Sequence, residues 1–152
     1  HGAQFGEFSW RDEHLSSGRK IDLFLPCAAS QTVTAQAAEK MVAMGLKYVS
    51  EGANNPTSPE ADKHFLEGGV TVIPDVLANA GGVAGSYMEM SKAASMSIPT
   101  EHETLEAVRG ILTTAWEQVV TACDGYGTAS LRLAGDALAV SKIAAAHQIR
   151  GW

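Results

Sequence analysis

Residues 51–86 read EGANNPTSPEADKHFLEGGVTVIPDVLANAGGVAGS and decide the fold of this chain. A polar turn at residues 51–57 opens the stretch, and a glycine-rich turn at residues 79–86 closes it. Each turn directly follows a short apolar run. In an open parallel sheet such turns lie at the carboxyl ends of the strands, where ligands bind. We therefore expect Asn54 and Asn79 to lie side by side at one edge of a parallel sheet.

Short apolar runs alternate with helical patterns in the first half of the chain. The runs predicted to be strands lie at residues 21–26, 47–50 and 70–74. The helical patterns between them lie at residues 34–44 and 59–67. This alternation is typical of right-handed βαβ units, so we predict an α/β fold with a parallel sheet of about three strands.

Capping residues mark where the helices begin. Thr57 and Ser58 both fit the N-cap of the second helix, and Thr57 with Glu60 fits a capping box. Thr100 and Glu103 form a second capping box. The later pattern is helical only, with helices predicted at residues 83–96, 100–122 and 131–149 and a turn at 125–127.

Composition excludes several classes of protein. The 152 residues are 45% hydrophobic and 18% charged, which is typical of one folded domain. The net charge of −6 and the scattered lysines argue against nucleic acid as a partner. No apolar run approaches the roughly 20 residues that span a bilayer, so we expect no membrane segment. Cys27 and Cys123 are predicted to be buried free thiols, which favours a cytoplasmic protein.

Motifs for the commonest chemistries are missing from these residues. The five histidines lack the paired spacing of a metal site, so no metal is expected. Neither a nucleophile elbow nor a P-loop occurs, and we assign no catalytic residue. Asn54 and Asn79 remain as candidates for binding a ligand, with Gly52, Gly81 and Gly82 letting a flat ring approach the backbone. Alternatively, both asparagines only form turns or caps.

At these turns the sequence resembles a known family. Three motifs match the glutamate/leucine/phenylalanine/valine dehydrogenases in order and spacing: Leu25-Pro26-Cys27-Ala28, EGANNPT at 51–57 and NAGGV at 79–83. Residues 131–144 are similar to the family's closing helix. The resemblance implies that residues 21–152 form the C-terminal half of a dinucleotide-binding domain. This half would be a partial Rossmann-like parallel sheet with flanking helices and a C-terminal all-helical segment. Residues 1–20 are only weakly patterned, and we expect them to form an N-terminal arm.

The resemblance also implies a role for particular residues. Ala28 and Asn54 would line the cleft for NAD or NADP, and Asn79 would lie beside the nicotinamide. Val83 and Ser86 would face a small-molecule substrate, an amino acid. Members that act on glutamate have serine at the last position, so Ser86 favours a glutamate-type ancestor. Alternatively, its hydroxyl only bonds to the backbone of its own helix.

The departures from the family are equally informative. These residues contain neither the family's catalytic-lysine segment nor its G-x-G-x-x-G phosphate-binding turn. Gly125-Tyr126-Gly127 followed by Ser130 is the nearest match, but it lies between two helices and lacks the third glycine. We therefore expect a fragment or truncated relative of an NAD(P)-dependent glutamate dehydrogenase that is inactive alone.

Two other functions stay open at this point. The half-domain fits a non-catalytic association module, because half a sheet leaves an exposed edge and uncovered apolar helix faces. Its partner would be a second copy, giving a homo-oligomer, or a missing companion domain. The other alternative is an enzyme with a new small substrate in the old cleft.

Overall fold

The computed structural model describes residues 20–94 and 100–151, and these residues form three strands and six helices. In chain order they are β1 (Leu23–Phe24), α1 (Ala35–Ala43), β2 (Tyr48–Ser50), α2 (Pro59–Glu67), β3 (Thr71–Ile73), α3 (Asp75–Ala78), α4 (Gly81–Ala94), α5 (Glu101–Tyr126) and α6 (Leu131–Arg150). The α/β class is therefore confirmed. All of the predicted N-terminal arm except Lys20 lies outside the described residues.

The three strands form a parallel sheet in the order β1-β2-β3. Val49 of the central strand pairs with Phe24 on one side and with Val72 on the other. Because consecutive parallel strands need a crossover, α1 and α2 connect them and pack together on the sheet. All three strands end at the same edge, as the alternating pattern predicts.

The main core lies between the sheet and its two crossover helices. Phe65 and Ala61 of α2 and Met41 of α1 are almost completely buried against Val49. The apolar side chains of α1 and α2 therefore face the sheet, and the helices' polar side chains remain at the surface.

A second, smaller apolar cluster holds the helical segment against the third strand. Val119 of α5 packs with Leu131 and Ala134 of α6, and Ile73 and Leu77 lie against them. The helices that follow the sheet are thereby anchored next to the turn after β3.

The ends of the helices correct some of the sequence-based expectations. Ser58, and not Thr57, caps α2: its hydroxyl accepts a hydrogen bond from the Ala61 backbone N–H at 3.2 Å. Thr57 is instead buried, in an isolated parallel bridge with Val33. The capping box of Thr100 and Glu103 at the start of α5 is confirmed.

Two turns predicted from glycine are helical in the structure. Gly81 begins α4, so this helix starts two residues earlier than expected. Residues 125 and 126 still belong to α5, and Gly127 ends that helix with a left-handed φ of 63°. The short helix α3 was not predicted, since four residues are too few to show a helical period.

Both cysteines that the structure describes are free, but only one is even partly buried. Cys27 is exposed in the turn after β1, contrary to the prediction, because this turn lies at the open edge of the sheet. Cys123 is partly buried, and burial raises the pKa of its thiol. None of the helices formed by residues 20–94 and 100–151 has both the length and the apolarity that crossing a membrane requires.

Candidate functional site

The turns that follow the three strands meet at one edge of the sheet. Pro26, after β1, accepts a hydrogen bond from the backbone N–H of Ala53, after β2, at 2.9 Å. Asp75, after β3, accepts one from the backbone N–H of Asn55 at 2.8 Å through its carboxylate. The sequence places polar residues after short strands, and the parallel sheet brings them together.

Asn54 and Asn79 lie in direct contact at this edge. The Nδ2 of Asn79 donates a hydrogen bond to the Oδ1 of Asn54, with 2.6 Å between the two atoms. The expectation that the two amides lie side by side is therefore confirmed. Within the described part of the chain, this bond leaves the Asn54 Nδ2 as a donor and the Asn79 Oδ1 as an acceptor.

The glycines of the site have different surroundings. A Cβ built on Gly52 would lie 2.5 Å from the Sγ of Cys27, so the turn after β1 already fills the space beside Gly52. A side chain at position 52 is therefore excluded, whereas Gly52 itself is exposed, and the approach of a flat ring to its backbone stays a prediction. Gly82 has nothing within 4 Å of such a Cβ, and its backbone is open to approach.

Two residues near the site have the left-handed backbone conformation that glycine usually takes. Gln31 has a φ of 55° and Asn55 a φ of 47°. The backbone N–H of Gln31 donates to the carbonyl of Asn55 at 2.8 Å, and the Ser30 hydroxyl donates to the same carbonyl at 3.2 Å. These bonds hold Asn55 in a conformation that few residues other than glycine adopt, which fixes the turn next to Asn54.

A buried carboxylate lies beneath the asparagines. Glu51 has 0% exposure and directly follows the central strand. Its Oε2 accepts a hydrogen bond from the backbone N–H of Asp75 at 3.0 Å, and its Oε1 lies 2.7 Å from the Nη2 of Arg132. A buried carboxylate is tolerated only with such partners, so Glu51 joins the turns after β2 and β3 to the last helix.

Arg132, near the start of α6, is close to three carboxylates. Besides Glu51, its Nε lies 3.3 Å from the Oδ2 of Asp62, and its Nη1 lies 3.7 Å from the Oδ1 of Asp75. Burial alone would lower the pKa of Arg132, but the hydrogen bond and charge of Glu51, with those of Asp62, raise it. The guanidinium therefore stays charged, and its planar fork can reach several carboxylates at once.

The other predicted site residues lie around the asparagine pair. Ala28 is exposed in the turn after β1. Val83 and Ser86 lie on α4, which begins two residues after Asn79. They are three residues apart and so share one face of the helix, where Val83 is 71% exposed and Ser86 is also exposed.

Arg132, Asp62 and Asp75 were not singled out from the sequence. One signal for Arg132 was available: a cation in the first turn of a helix opposes the helix dipole, which points to a tertiary partner. Glu51 gave a second signal, because a charge directly after a buried strand needs a partner. In the described ranges, no group of three histidine, cysteine, aspartate or glutamate side chains has a geometry that could hold a metal ion.

Comparison with known proteins identifies the family of this fold. The family model described as Glutamate/Leucine/Phenylalanine/Valine dehydrogenase matches residues 5–151. The chain belongs to this family. The three turns at the edge of the sheet are thus those of an amino-acid dehydrogenase family, in agreement with the resemblance of their motifs.

Curated relatives of the chain are glutamate dehydrogenases. It is 34% identical over 132 residues to the NAD-specific glutamate dehydrogenase of Clostridioides difficile. The aligned residues cover 87% of this chain and 30% of that relative. It is 36% identical over 131 residues to the NADP-specific glutamate dehydrogenase A1 of Halobacterium salinarum, covering 86% of this chain and 31% of the relative. The chain therefore spans about 30% of the length of these relatives.

Solved dehydrogenase structures share the fold. The hetero-hexameric glutamate dehydrogenase of Thermus thermophilus matches with a TM-score of 0.82 and 25% identity. The match covers 89% of this chain and 32% of that one. The three-stranded sheet and the following helices are therefore arranged as in a part of that enzyme.

Proposed function

We propose that this chain forms the nicotinamide side of the cofactor cleft of an NAD(P)-dependent glutamate-type dehydrogenase. The observation that carries the proposal is the contact between the Asn54 and Asn79 amides, 2.6 Å apart at the carboxyl edge of a parallel sheet. Membership of the dehydrogenase family supports it, as do matched relatives that are NAD-specific and NADP-specific glutamate dehydrogenases.

The chemistry of the asparagine pair fits a nicotinamide carboxamide. The carboxamide has one acceptor oxygen and one donor nitrogen. The Asn54 Nδ2 would donate to the oxygen, and the Asn79 Oδ1 would accept from the nitrogen. The open backbone at Gly82 and the exposed Ala28 leave room for the ring beside the pair. When bound, the cofactor supplies the hydride acceptor or donor of the reaction.

A titration of the whole chain with NAD and with NADP tests this function. We expect the side-chain amide NMR signals of Asn54 and Asn79 to shift on addition of at least one of the two cofactors. The amide signals of Gln36, exposed on α1, are the control and should not move. Asn79→Ala should weaken binding about tenfold, as expected for a lost hydrogen bond and an unpaired polar group. Unchanged signals of both asparagines at saturating cofactor would contradict the proposal.

We assign the adjacent face of α4 to the amino-acid substrate. Val83 and Ser86 are exposed on one helical face beyond Asn79. A serine hydroxyl there can donate to the side-chain carboxylate of glutamate, whereas leucine offers no acceptor at that position. Glutamate should therefore shift the Ser86 signals in the cofactor-loaded chain more than leucine does. An equal response to the two amino acids would argue against glutamate as the substrate.

We do not expect these residues to catalyse hydride transfer on their own. Hydride transfer needs a cofactor anchored at its pyrophosphate and a substrate polarised by a cationic group. The 152 residues contain neither the phosphate-binding motif nor the lysine segment of the family. We expect no glutamate-dependent reduction of NAD or NADP by this chain, measured by the absorbance of the reduced nicotinamide.

A second candidate function, association without catalysis, is supported by exposed apolar surface. In the described sheet, β1 pairs only with β2, and Leu23 and Leu25 beside its free edge are each 55% exposed. Val140 and Ile143 of α6 are also exposed. A second copy of the chain or a companion domain would cover such surface. A monomer that does not change with concentration in sedimentation experiments would exclude association between copies.

We also propose that the protein is cytoplasmic. The two free thiols, Cys27 and Cys123, are in keeping with a reducing compartment. Fractionation of cells that express the protein would test the assignment.

A further inference from the structure

The two turns that hold the asparagine pair are braced against each other through acidic side chains. Glu51, three residues before Asn54, accepts a hydrogen bond from the Asp75 backbone N–H at 3.0 Å. Asp75, four residues before Asn79, accepts one from the Asn55 backbone N–H at 2.8 Å and another from the Val76 backbone N–H at 2.8 Å. Each turn therefore depends on the position of a carboxylate in the other.

The cation of Arg132 pairs with both carboxylates of this brace from the last helix. The guanidinium of Arg132 lies 2.7 Å from the Oε1 of Glu51 and 3.7 Å from the Oδ1 of Asp75. Its third partner, Asp62 on α2, lies 3.3 Å from the Nε. Glu51 is completely buried, and a buried carboxylate without a countercharge is strongly destabilising. Without Arg132, the carboxylates of Glu51 and Asp75 would repel each other and move apart.

The position of Arg132 in its own helix shows that these contacts are its main source of stabilisation. It is the second residue of α6, where the N-terminal end of the helix dipole disfavours a cation. Its side chain is only 25% exposed, so most of it is removed from water. The unfavourable location is therefore offset by the three carboxylates of Glu51, Asp62 and Asp75.

We propose that Arg132 is a positioning residue for the cofactor site, acting through Glu51 and Asp75 to hold the Asn54 and Asn79 amides in contact. This inference rests on the proposed function only for its effect on the cofactor; the effect on the two amides exists in the free protein. Arg132 does not touch the asparagines, and its influence passes through the backbone of the two turns.

The experiment compares Arg132→Gln and Arg132→Lys with the unmodified chain by side-chain amide NMR without cofactor. Arg109→Gln on α5 is the matched control, because Arg109 makes a surface pair with Glu106 at 3.4 Å and stays exposed. In the unmodified chain, the hydrogen bond should move one Asn79 amide proton away from its shift in a hydrated amide. We expect Arg132→Gln to return both protons to the shifts of a hydrated amide, and Arg109→Gln to leave them unchanged.

The lysine variant separates charge from geometry. Its ammonium keeps the countercharge for Glu51 but cannot reach Asp62 and Asp75 at the same time, so the Asn79 signals should take intermediate positions. If the glutamine variant does not fold, the lysine variant decides: an Asn79 signal unmoved from that of the unmodified chain overturns the inference. The inference is also overturned if Arg132→Gln folds and melts at a lower temperature but keeps the Asn79 signals unchanged. Arg132 would then stabilise the fold without positioning the asparagines.

A cofactor titration of the same variants completes the test. Arg132→Gln should weaken binding of NAD or NADP about tenfold, since misplaced amides lose a hydrogen bond to the ligand. Binding of equal strength by folded Arg132→Gln and the unmodified chain would overturn the link to the cofactor. If the unmodified chain binds neither cofactor, the proposed function fails, but the amide signals of the free protein still decide whether Arg132 positions the asparagines.

Discussion

Gly52→Ala tests the close approach of the turns after β1 and β2. The added Cβ would lie 2.5 Å from the Sγ of Cys27, well inside van der Waals contact. Relief requires Cys27 to leave its rotamer or the turns to separate, and such overpacking costs about 1–3 kcal/mol. Alanine also restricts the unfolded chain, which stabilises the native state by about 0.4–1 kcal/mol. We therefore expect a net destabilisation of ~1–2 kcal/mol.

A double-mutant cycle with Cys27→Ala isolates the clash. Without the sulfur, the nearest atom of residue 27 is its Cβ at 3.5 Å, which is an ordinary contact. Gly52→Ala should then be neutral, or stabilising by up to ~1 kcal/mol through the unfolded state. The expected coupling between the two substitutions is therefore about 1–3 kcal/mol. No other contact of Gly52 has to be invoked.

The assay is urea unfolding of the four proteins, followed by far-ultraviolet circular dichroism at 25 °C. Cys27→Ala alone serves as the reference for the double variant, and equal m-values would show that the unfolded states are comparable. If Gly52→Ala has the same effect in both backgrounds, to within ~0.5 kcal/mol, the sulfur is not what excludes a side chain at position 52. The account of this close approach would then be refuted.

Three further predictions concern a cap, an acidic side chain and the thiols. Ser58→Ala removes the N-cap of α2 and should destabilise the protein by about 1 kcal/mol in urea unfolding, whereas Thr57 cannot replace it. Hydrogen bonds from Thr100 lower the pKa of Glu103 below its ordinary 4.5, so the stability that Glu103 contributes is lost as the pH falls through the lowered pKa. An NMR titration should show the lowered pKa, urea unfolding at decreasing pH should show the loss of stability, and Glu103→Gln should abolish that loss. The exposed Cys27 should be alkylated faster than Cys123, whose pKa is raised by burial, as measured by mass spectrometry of the labelled peptides.

The sheet and the meeting of its turns could be predicted because both follow from local patterns. Short apolar runs separated by helical patterns require parallel strands, and parallel strands end at the same edge. Asn54 lies in the turn after β2, and Asn79 ends the short helix α3 that follows β3, so this topology brings both to the same edge of the sheet. The order and spacing of the three motifs predicted the dehydrogenase family, and the match of the family model over residues 5–151 confirms it.

The features that could not be predicted depend on tertiary contacts, which local sequence patterns do not encode. Thr57 and Ser58 are equally good caps by type, and the burial of Thr57 in a bridge with Val33 decides between them. The sequence also does not show that Cys27 lies beside Gly52, so it does not reveal that a side chain is excluded at position 52. Arg132 was overlooked because its partner Glu51 is 81 residues away in the chain.

The distance in sequence between Glu51 and Arg132 has a consequence for synthesis on the ribosome. Domains fold as the chain emerges, and the sheet with its crossover helices can collapse while α5 is still being made. Until α6 has been translated, Arg132 is absent and the carboxylate of Glu51 at the polar edge of the sheet has no countercharge. A nascent chain stalled before α6 should therefore expose this edge to a chaperone, and one stalled after it should not.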